Sequence, residues 1–242
     1  MDMKKIITCA ALLAGIVFFN GRLNAQVESD IVGYQTIEIT SQWTLLGMNF
    51  VGLENDTTDE IPFLSMISGD FAHGDEIQVQ NIGGGYSRAG WNSTVGKWCS
   101  FGRTGLSANE STLTIPAGTG FWLKSSATTI QIAGKVYTGE DISVVIGKQY
   151  KIFAPLVPEA LPVNSDLLVW ENFNHNDEIQ IPNAGGGYSR ARWNSTVGKW
   201  CTIGRTGVTS TPSDATIPSS ASIWVISTND SADVTVKSII SK

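Results

Sequence analysis

Thirty-three residues of this chain occur twice. His73 to Gly105, HGDEIQVQNIGGGYSRAGWNSTVGKWCSFGRTG, returns from His175 to Gly207 as HNDEIQIPNAGGGYSRARWNSTVGKWCTIGRTG, and only positions 74, 79, 80, 82, 90, 100 and 101 differ from their counterparts. The offset is 102 residues. Self-similarity at that spacing means two copies of one domain-sized unit, packed side by side or interleaved, and the length allows one large or two small cores. Ile115 to Leu123 matches Ile217 to Val225 at the same offset when apolar pattern replaces identity, and Gln42 to Leu46 matches Gln149 to Phe153 at 107. The units are therefore placed at residues 26 to 133 and 134 to 242.

Residues 1 to 25 read as a secretory signal peptide: Lys4 and Lys5 precede an apolar run from Ile6 to Phe19, and Leu23-Asn24-Ala25 resembles a cleavage site. The apolar run is short for a membrane span. The expected mature chain starts at Gln26, has no transmembrane segment, and is extracytoplasmic: secreted, periplasmic or on the cell surface. The whole chain carries a net charge of −6, and no run of like charges breaks it up. A nucleic acid partner needs a basic face to displace counterions, and this composition provides no surplus for one.

The mature sequence offers no long 3.6-residue apolar period. Its best helical candidate is the short stretch Ile61 to Ile67. The remaining apolar segments are short, rich in Val, Ile, Thr and aromatics, and punctuated by Gly, Asn and Pro, which predicts strands. The expected fold is all-β: two tandem homologous units, each a β-sandwich or barrel-like body, related by a pseudo-twofold axis. Alternating segments open the units at Ile31 to Thr40 and Asp141 to Ile146. Within the repeated block a three-stranded meander is expected, Asp75 to Asn81, Tyr86 to Asn92 and Lys97 to Phe101. Gly83 to Gly85 and Ser93 to Gly96 form its turns, and the second copy runs Asp177 to Asn183, Tyr188 to Asn194 and Lys199 to Ile203.

Side chains alternate across a strand. On that basis Ile77, Val79, Cys99 and Phe101, with Ile179, Ile181, Cys201 and Ile203, are assigned to the core, and Trp91 points inward. Position 90 is Gly in one copy and Arg192 in the other, as a solvent face permits. The outer face then gathers Glu76, Gln78, Tyr86, Arg88 and Trp98, and in the second unit Glu178, Gln180, Tyr188, Arg190 and Trp200. Two readings of this cluster stand. One is a surface stack in which Arg88 covers Trp98. The other is a sugar-binding platform, with a flat aromatic face flanked by donors and acceptors that orient hydroxyl groups. Two such sites on one chain would bind a repeating polymer with avidity.

Catalytic patterns fare less well. Gly85-Tyr86-Ser87-Arg88-Ala89 resembles a nucleophile elbow with its last glycine replaced, but the elbow needs a strand-to-helix turn and Ser87 falls inside a predicted strand. His73 and His175 each stand in an H-x-D-E string, which offers too few ligands for a structural metal site. Asp75 and Asp177 are repeated carboxylates, and a glycosidase would need such groups in one cleft. No cofactor is expected, and no catalytic or metal-binding residue is assigned. Asn92 and Asn194 begin N-x-S/T strings and are read as turn residues. Cys99 and Cys201 are disulfide candidates at equivalent positions; export favours a bond, and their core-facing placement favours two free thiols.

Each unit also resembles a repeat module of secreted bacterial proteins whose activity is uncharacterised. The pattern is carried by Val32-Gly33-Tyr34, Trp43-Thr44-Leu45-Leu46, Asp75-Glu76-Ile77-Gln78, Gly84-Gly85-Tyr86, Lys97-Trp98 and Ile115 to Trp122. In the second unit Ser219-Ser220-Ala221 replaces the glycine-rich part of the closing strand. The resemblance implies export and an all-β fold, and no activity or functional residue comes with it. The expected function is a non-catalytic binding module of a secreted or surface protein, with a polysaccharide or surface glycan as the leading ligand class. A structural or adhesive surface subunit that self-associates through exposed strands is the alternative, and a glycan-acting hydrolase ranks third.

Overall fold

The computed structural model describes residues 32–39, 43–53, 58–183 and 186–238. The leader-like residues 1–25, and Ile31, Thr40 and Gln42 of the predicted strands, lie outside the described residues. Described residues form twenty strands and one 3-10 helix, an all-β chain in two similar sets. The first set is β1 (Val32–Glu38), β2 (Trp43–Gly47), β3 (Ile67–Gly69), β4 (Glu76–Gln80), β5 (Tyr86–Asn92), β6 (Lys97–Gly102), β7 (Gly105–Glu110), β8 (Gly120–Lys124) and β9 (Thr129–Lys135). The second is β10 (Ile142–Val145), β11 (Tyr150–Phe153), β12 (Leu161–Pro162), β13 (Leu168–Glu171), β14 (Glu178–Pro182), β15 (Tyr188–Asn194), β16 (Lys199–Gly204), β17 (Gly207–Pro212), β18 (Thr216–Ile217), β19 (Ile223–Ile226) and β20 (Asp233–Val236). β9 runs two residues past the unit boundary set at 133.

Each unit is a sandwich. A six-stranded antiparallel sheet ordered β2-β8-β4-β5-β6-β7 faces a three-stranded sheet β1-β9-β3, and the second unit repeats this as β11-β19-β14-β15-β16-β17 over β10-β20-β13. Alternation drives the pairing of layers: Ile77, Val79, Phe121 and Leu123 point from the large sheet onto Ile67, Ile130 and Ile132 of the small one, all in one buried cluster. Ile179, Ile181, Ile223 and Val225 meet Val144, Leu168, Val234 and Val236 in the other. Each such aliphatic side chain contributes about 1.5–3 kcal/mol on burial. The predicted helix at Ile61 to Ile67 shrinks to a 3-10 turn, Phe63–Met66, because Ile61 instead bridges Ile115 across the sandwich edge. The meander gains a fourth strand, β7, joined to β6 by the tight Gly102–Gly105 reversal.

The two units meet about a pseudo-twofold axis. The Gly47 amide, at the end of β2, donates to the Ser220 carbonyl at 2.7 Å, and its counterpart, the Ala154 amide, donates to Gly118 at 3.0 Å. Gly118 and Ser220 both hold positive φ, 74° and 66°, so the serine adopts a conformation that costs an L-residue about 1–2 kcal/mol. At the axis itself Gly120 faces its own counterpart Ser222. A Cβ on Gly120 would lie 1.6 Å from the Ser222 hydroxyl and 2.4 Å from the Leu46 carbonyl, and that hydroxyl donates to Leu46. Buried Asn49 adds a one-sided link, donating to the carbonyls of Pro155 at 3.0 Å and Val157 at 2.5 Å. Leu156 of the second unit joins the first unit's core.

Candidate functional site

The register of the meander decides which side chains face out. In antiparallel pairs directly opposed residues share a face. Glu76 opposes Gly90, Gln78 opposes Arg88 and Gln80 opposes Tyr86, so Glu76, Gln78, Tyr86 and Arg88 lie together on the outer face as expected. The second unit places Glu178, Gln180, Tyr188 and Arg190 in the same way.

Trp98 and Trp200 do not join them. Trp91 opposes Trp98, and Trp193 opposes Trp200, so each pair points to one side, and that side is the core. Trp98 is 4% exposed and Trp200 is fully buried. Trp98 packs edge-on against Phe71 and Trp91 at centroid distances of 4.8 and 5.5 Å. Trp200 packs likewise against Trp170, Phe173 and Trp193 at 5.2, 5.3 and 5.4 Å. Their place in the sugar platform is thus corrected to a core role, and Cys99 and Phe101 move to the outer side. Arg88 stacks on Phe101, 4.2 Å from its centroid, and not on Trp98. Gly90 lies beneath Phe101 and Leu106, where a Cβ would come within 3.0 Å of both. Ile203 and Val208 are smaller than Phe101 and Leu106, and room for Arg192 results.

Both described cysteines are free and buried, which corrects the disulfide alternative. Cys99 and Cys201 sit on β6 and β16, each three strands removed from the strands that meet at the axis. Three spacings of about 4.8 Å on each side far exceed the roughly 7 Å between Cα atoms that a bridge tolerates. Burial pushes the Cys201 thiol up, with Lys199 opposing the shift.

The aromatic surface that Trp98 was expected to supply comes from other strands. Trp122 on β8 opposes Gln78, and Trp43 on β2 opposes Lys124, which puts Trp43, Trp122 and Lys124 on the outer face beside the Glu76 and Gln78 row. Trp43 and Trp122 meet edge to face at 6.4 Å, and Trp122 meets Trp224, its counterpart in the second unit, at 6.4 Å across the axis. Trp43 is 39% exposed, Tyr86 42% and Tyr188 40%. Trp43, Gln78, Tyr86 and Trp122 line one open depression. The other wall of Trp122, with Trp43, Tyr188 and Pro218 to Ala221, lines a groove between the units of about 480 Å³, within the size range of small-ligand clefts. The result is one aromatic row, Trp43, Trp122 and Trp224, flanked by a tyrosine from each repeat. The row lay outside the near-identical block, so searching that block for chemistry missed it; the closing-strand match of Trp122 with Trp224 was the available signal.

Beside the row runs a polar network present in both units. Gln78 donates to Glu76 at 2.7 Å and Gln180 to Glu178 at 2.8 Å. Arg88 lies 3.7 Å from Glu76 and Arg190 3.7 Å from Glu178. Arg192 adds a 3.1 Å bond to Glu178.

The remaining singled-out residues are tied into the fold. Asp75 is buried and accepts from the Ala72 amide at 3.0 Å, the Ser125 hydroxyl at 2.7 Å and the Ser126 amide at 3.3 Å. Asp177 does the same with Asn174, Ser227 and Thr228. Each carboxylate staples the start of the meander to the loop after β8 or β19 within its own unit. The Ser87 and Ser189 hydroxyls donate to Asn81 and Asn183 at 2.8 Å, bracing the glycine turns. The Asn92 and Asn194 side chains accept from Thr94 and Thr196 two residues on, as turn residues do. His73 and His175 face Ser93 and Ser195 at 3.5 and 3.4 Å. Among the described residues no cluster of three or more metal-ligating side chains occurs, and no helix is long and apolar enough to cross a membrane. Comparison with family models, curated proteins and solved structures finds no match to this chain.

Proposed function

We propose that this protein is a non-catalytic, extracytoplasmic binding module whose ligand is a glycan, and that it binds at a single composite surface on the pseudo-twofold axis. The observation that carries this reading is the half-exposed indole row Trp43, Trp122 and Trp224, assembled from both units. Aromatic faces stack on the apolar faces of sugar rings, and amides and charged groups alongside orient the hydroxyls. Gln78, Gln180, Tyr86 and Tyr188 stand where that orientation is needed. Such a surface is rigid because its groups rise from strands and not from loops, which lowers the ordering cost of binding. The reading retains the expected ligand class and the outer-face residues Glu76, Gln78, Tyr86 and Arg88 with their counterparts. It replaces Trp98 and Trp200 by Trp122 and Trp224, and two separate sites by one.

The test is a polysaccharide and glycan array probed with residues 26 to 242, wild type beside Trp122→Ala/Trp224→Ala. Selective binding by the wild type that disappears in the double variant is expected. Binding that survives the double variant would move the site elsewhere, and an array on which the wild type binds nothing would remove the glycan reading for those sugars.

A further inference from the structure

We infer that the glycan recognised on this face is acidic, a polymer carrying uronate carboxylates or sulfates, held at both ends of the aromatic row by paired cations. The inference rests on the glycan reading above and adds the charge of the ligand to it. It follows from how each repeat surrounds the outward glutamate of β4 or β14, the exposed Glu110 of β7 being paired separately with Lys97. In the first unit Glu76 opposes Gly90 on one side and Lys124 on the other, and Arg88 stands 3.7 Å away. In the second, Glu178 opposes Arg192 on one side and Ile226 on the other, with Arg190 at 3.7 Å. The second cation has therefore changed strands between the repeats, from β8 to β15, while the count is the same: two cations and one carboxylate in each cluster. Neither Gly90 nor Ile226 carries charge, so each cluster keeps a surplus of one positive charge by a different route.

The charges are also layered. The Glu76 and Glu178 side chains are 13% and 11% exposed, whereas those of Arg88 and Arg190 are 54% and 57% exposed. Lys124 is exposed and stands 5.9 Å above the Trp43 ring, which joins the cationic cluster directly to the aromatic row. The carboxylates lie beneath and orient the guanidinium groups, and within each cluster the charged groups that reach furthest into solvent are cationic. This occurs on a chain whose net charge is −6. Glu38 is the acid on the groove side of the row. Guanidinium groups with one face engaged and the other open bind carboxylate and sulfate groups through charge-assisted hydrogen bonds. A neutral polymer would leave two positive clusters uncompensated, and an anionic one pairs with both while its rings cover the indoles.

The experiment is calorimetric titration of the intact chain with oligogalacturonate and with a sulfated galactan, each beside its carboxyl-reduced or desulfated counterpart, at low and at high salt. At least one acidic oligosaccharide is expected to bind at least tenfold more tightly than its neutral counterpart, with the advantage shrinking as salt rises. Lys124→Gln/Arg190→Gln, which leaves the indoles in place, is expected to lose most of that acidic-over-neutral advantage. Equal binding of acidic and neutral members would overturn the acidic assignment and leave the glycan reading standing. Binding by none of the four would overturn the acidic assignment, with the array deciding the glycan reading separately, and Trp122→Ala/Trp224→Ala distinguishes ring stacking from simple charge attraction: an acidic ligand that binds this variant at wild-type strength would likewise overturn the inference.

Discussion

At the scale of single residues, two pairs of tryptophans in the same chain have opposite jobs. Trp98 and Trp200 fill the cores, and their replacement by alanine is expected to cost about 3–5 kcal/mol each, as large-to-small core changes do. Trp122 and Trp224 are partly exposed, and their replacement is expected to cost about 1 kcal/mol while abolishing glycan binding. Urea unfolding of the four single variants beside the binding assay checks this, and similar stability losses for all four would contradict it. The two thiols give a second prediction. Because burial raises the Cys201 pKa above its unfolded value, the folded state holds that proton more tightly. Its contribution is constant below about pH 8.5 and falls as pH rises beyond the unfolded thiol's pKa. Native protein comprising residues 26 to 242 is expected to resist a thiol reagent and to release the Cys99 and Cys201 thiols on unfolding. Failure to release them would show a bond.

At the scale of elements, the faces of β4 and β5 were legible from alternation alone, and those of β6 were not, although the information was present. A four-residue turn from Ser93 to Gly96 pairs Asn92 with Lys97, which forces Trp91 and Trp98 onto one side. Assigning each strand by its own pattern, without the hairpin register, reversed β6. The error was easy because Cys99 and Phe101 on the outer side are themselves apolar. β7 was missed because its residues are mostly exposed and offer no apolar alternation to read. The contact between β8 and β19 was not legible from local pattern at all, since it depends on Gly120 and Ser222 being small at one point in space. Gly120→Ala is expected to destabilise the chain by about 1–3 kcal/mol through overpacking, measured by chemical unfolding. Tolerance of alanine there would mean that the units do not approach as closely as described.

At the scale of the whole molecule, the repeat correctly announced two homologous all-β units and a pseudo-twofold axis. It suggested two copies of a site, but the proposed binding surface is shared, because the half-exposed indoles lie on the strands nearest the axis. The ends of the large sheets bear on the self-assembly alternative. Pairing of β7 with β6 and of β17 with β16 is interrupted by register shifts, and β17 ends at Pro212, features that discourage edge-to-edge addition of strands. The chain is accordingly expected to sediment as a monomer across a hundredfold range of concentration. Concentration-dependent growth would favour a structural subunit. The most direct test of a single composite site is the stoichiometry of binding, obtained by titrating residues 26 to 242 with the oligosaccharide that binds best on the array. One equivalent per chain, lost in Trp122→Ala/Trp224→Ala, is the predicted result. Two equivalents per chain, or one that survives the double variant, would contradict it.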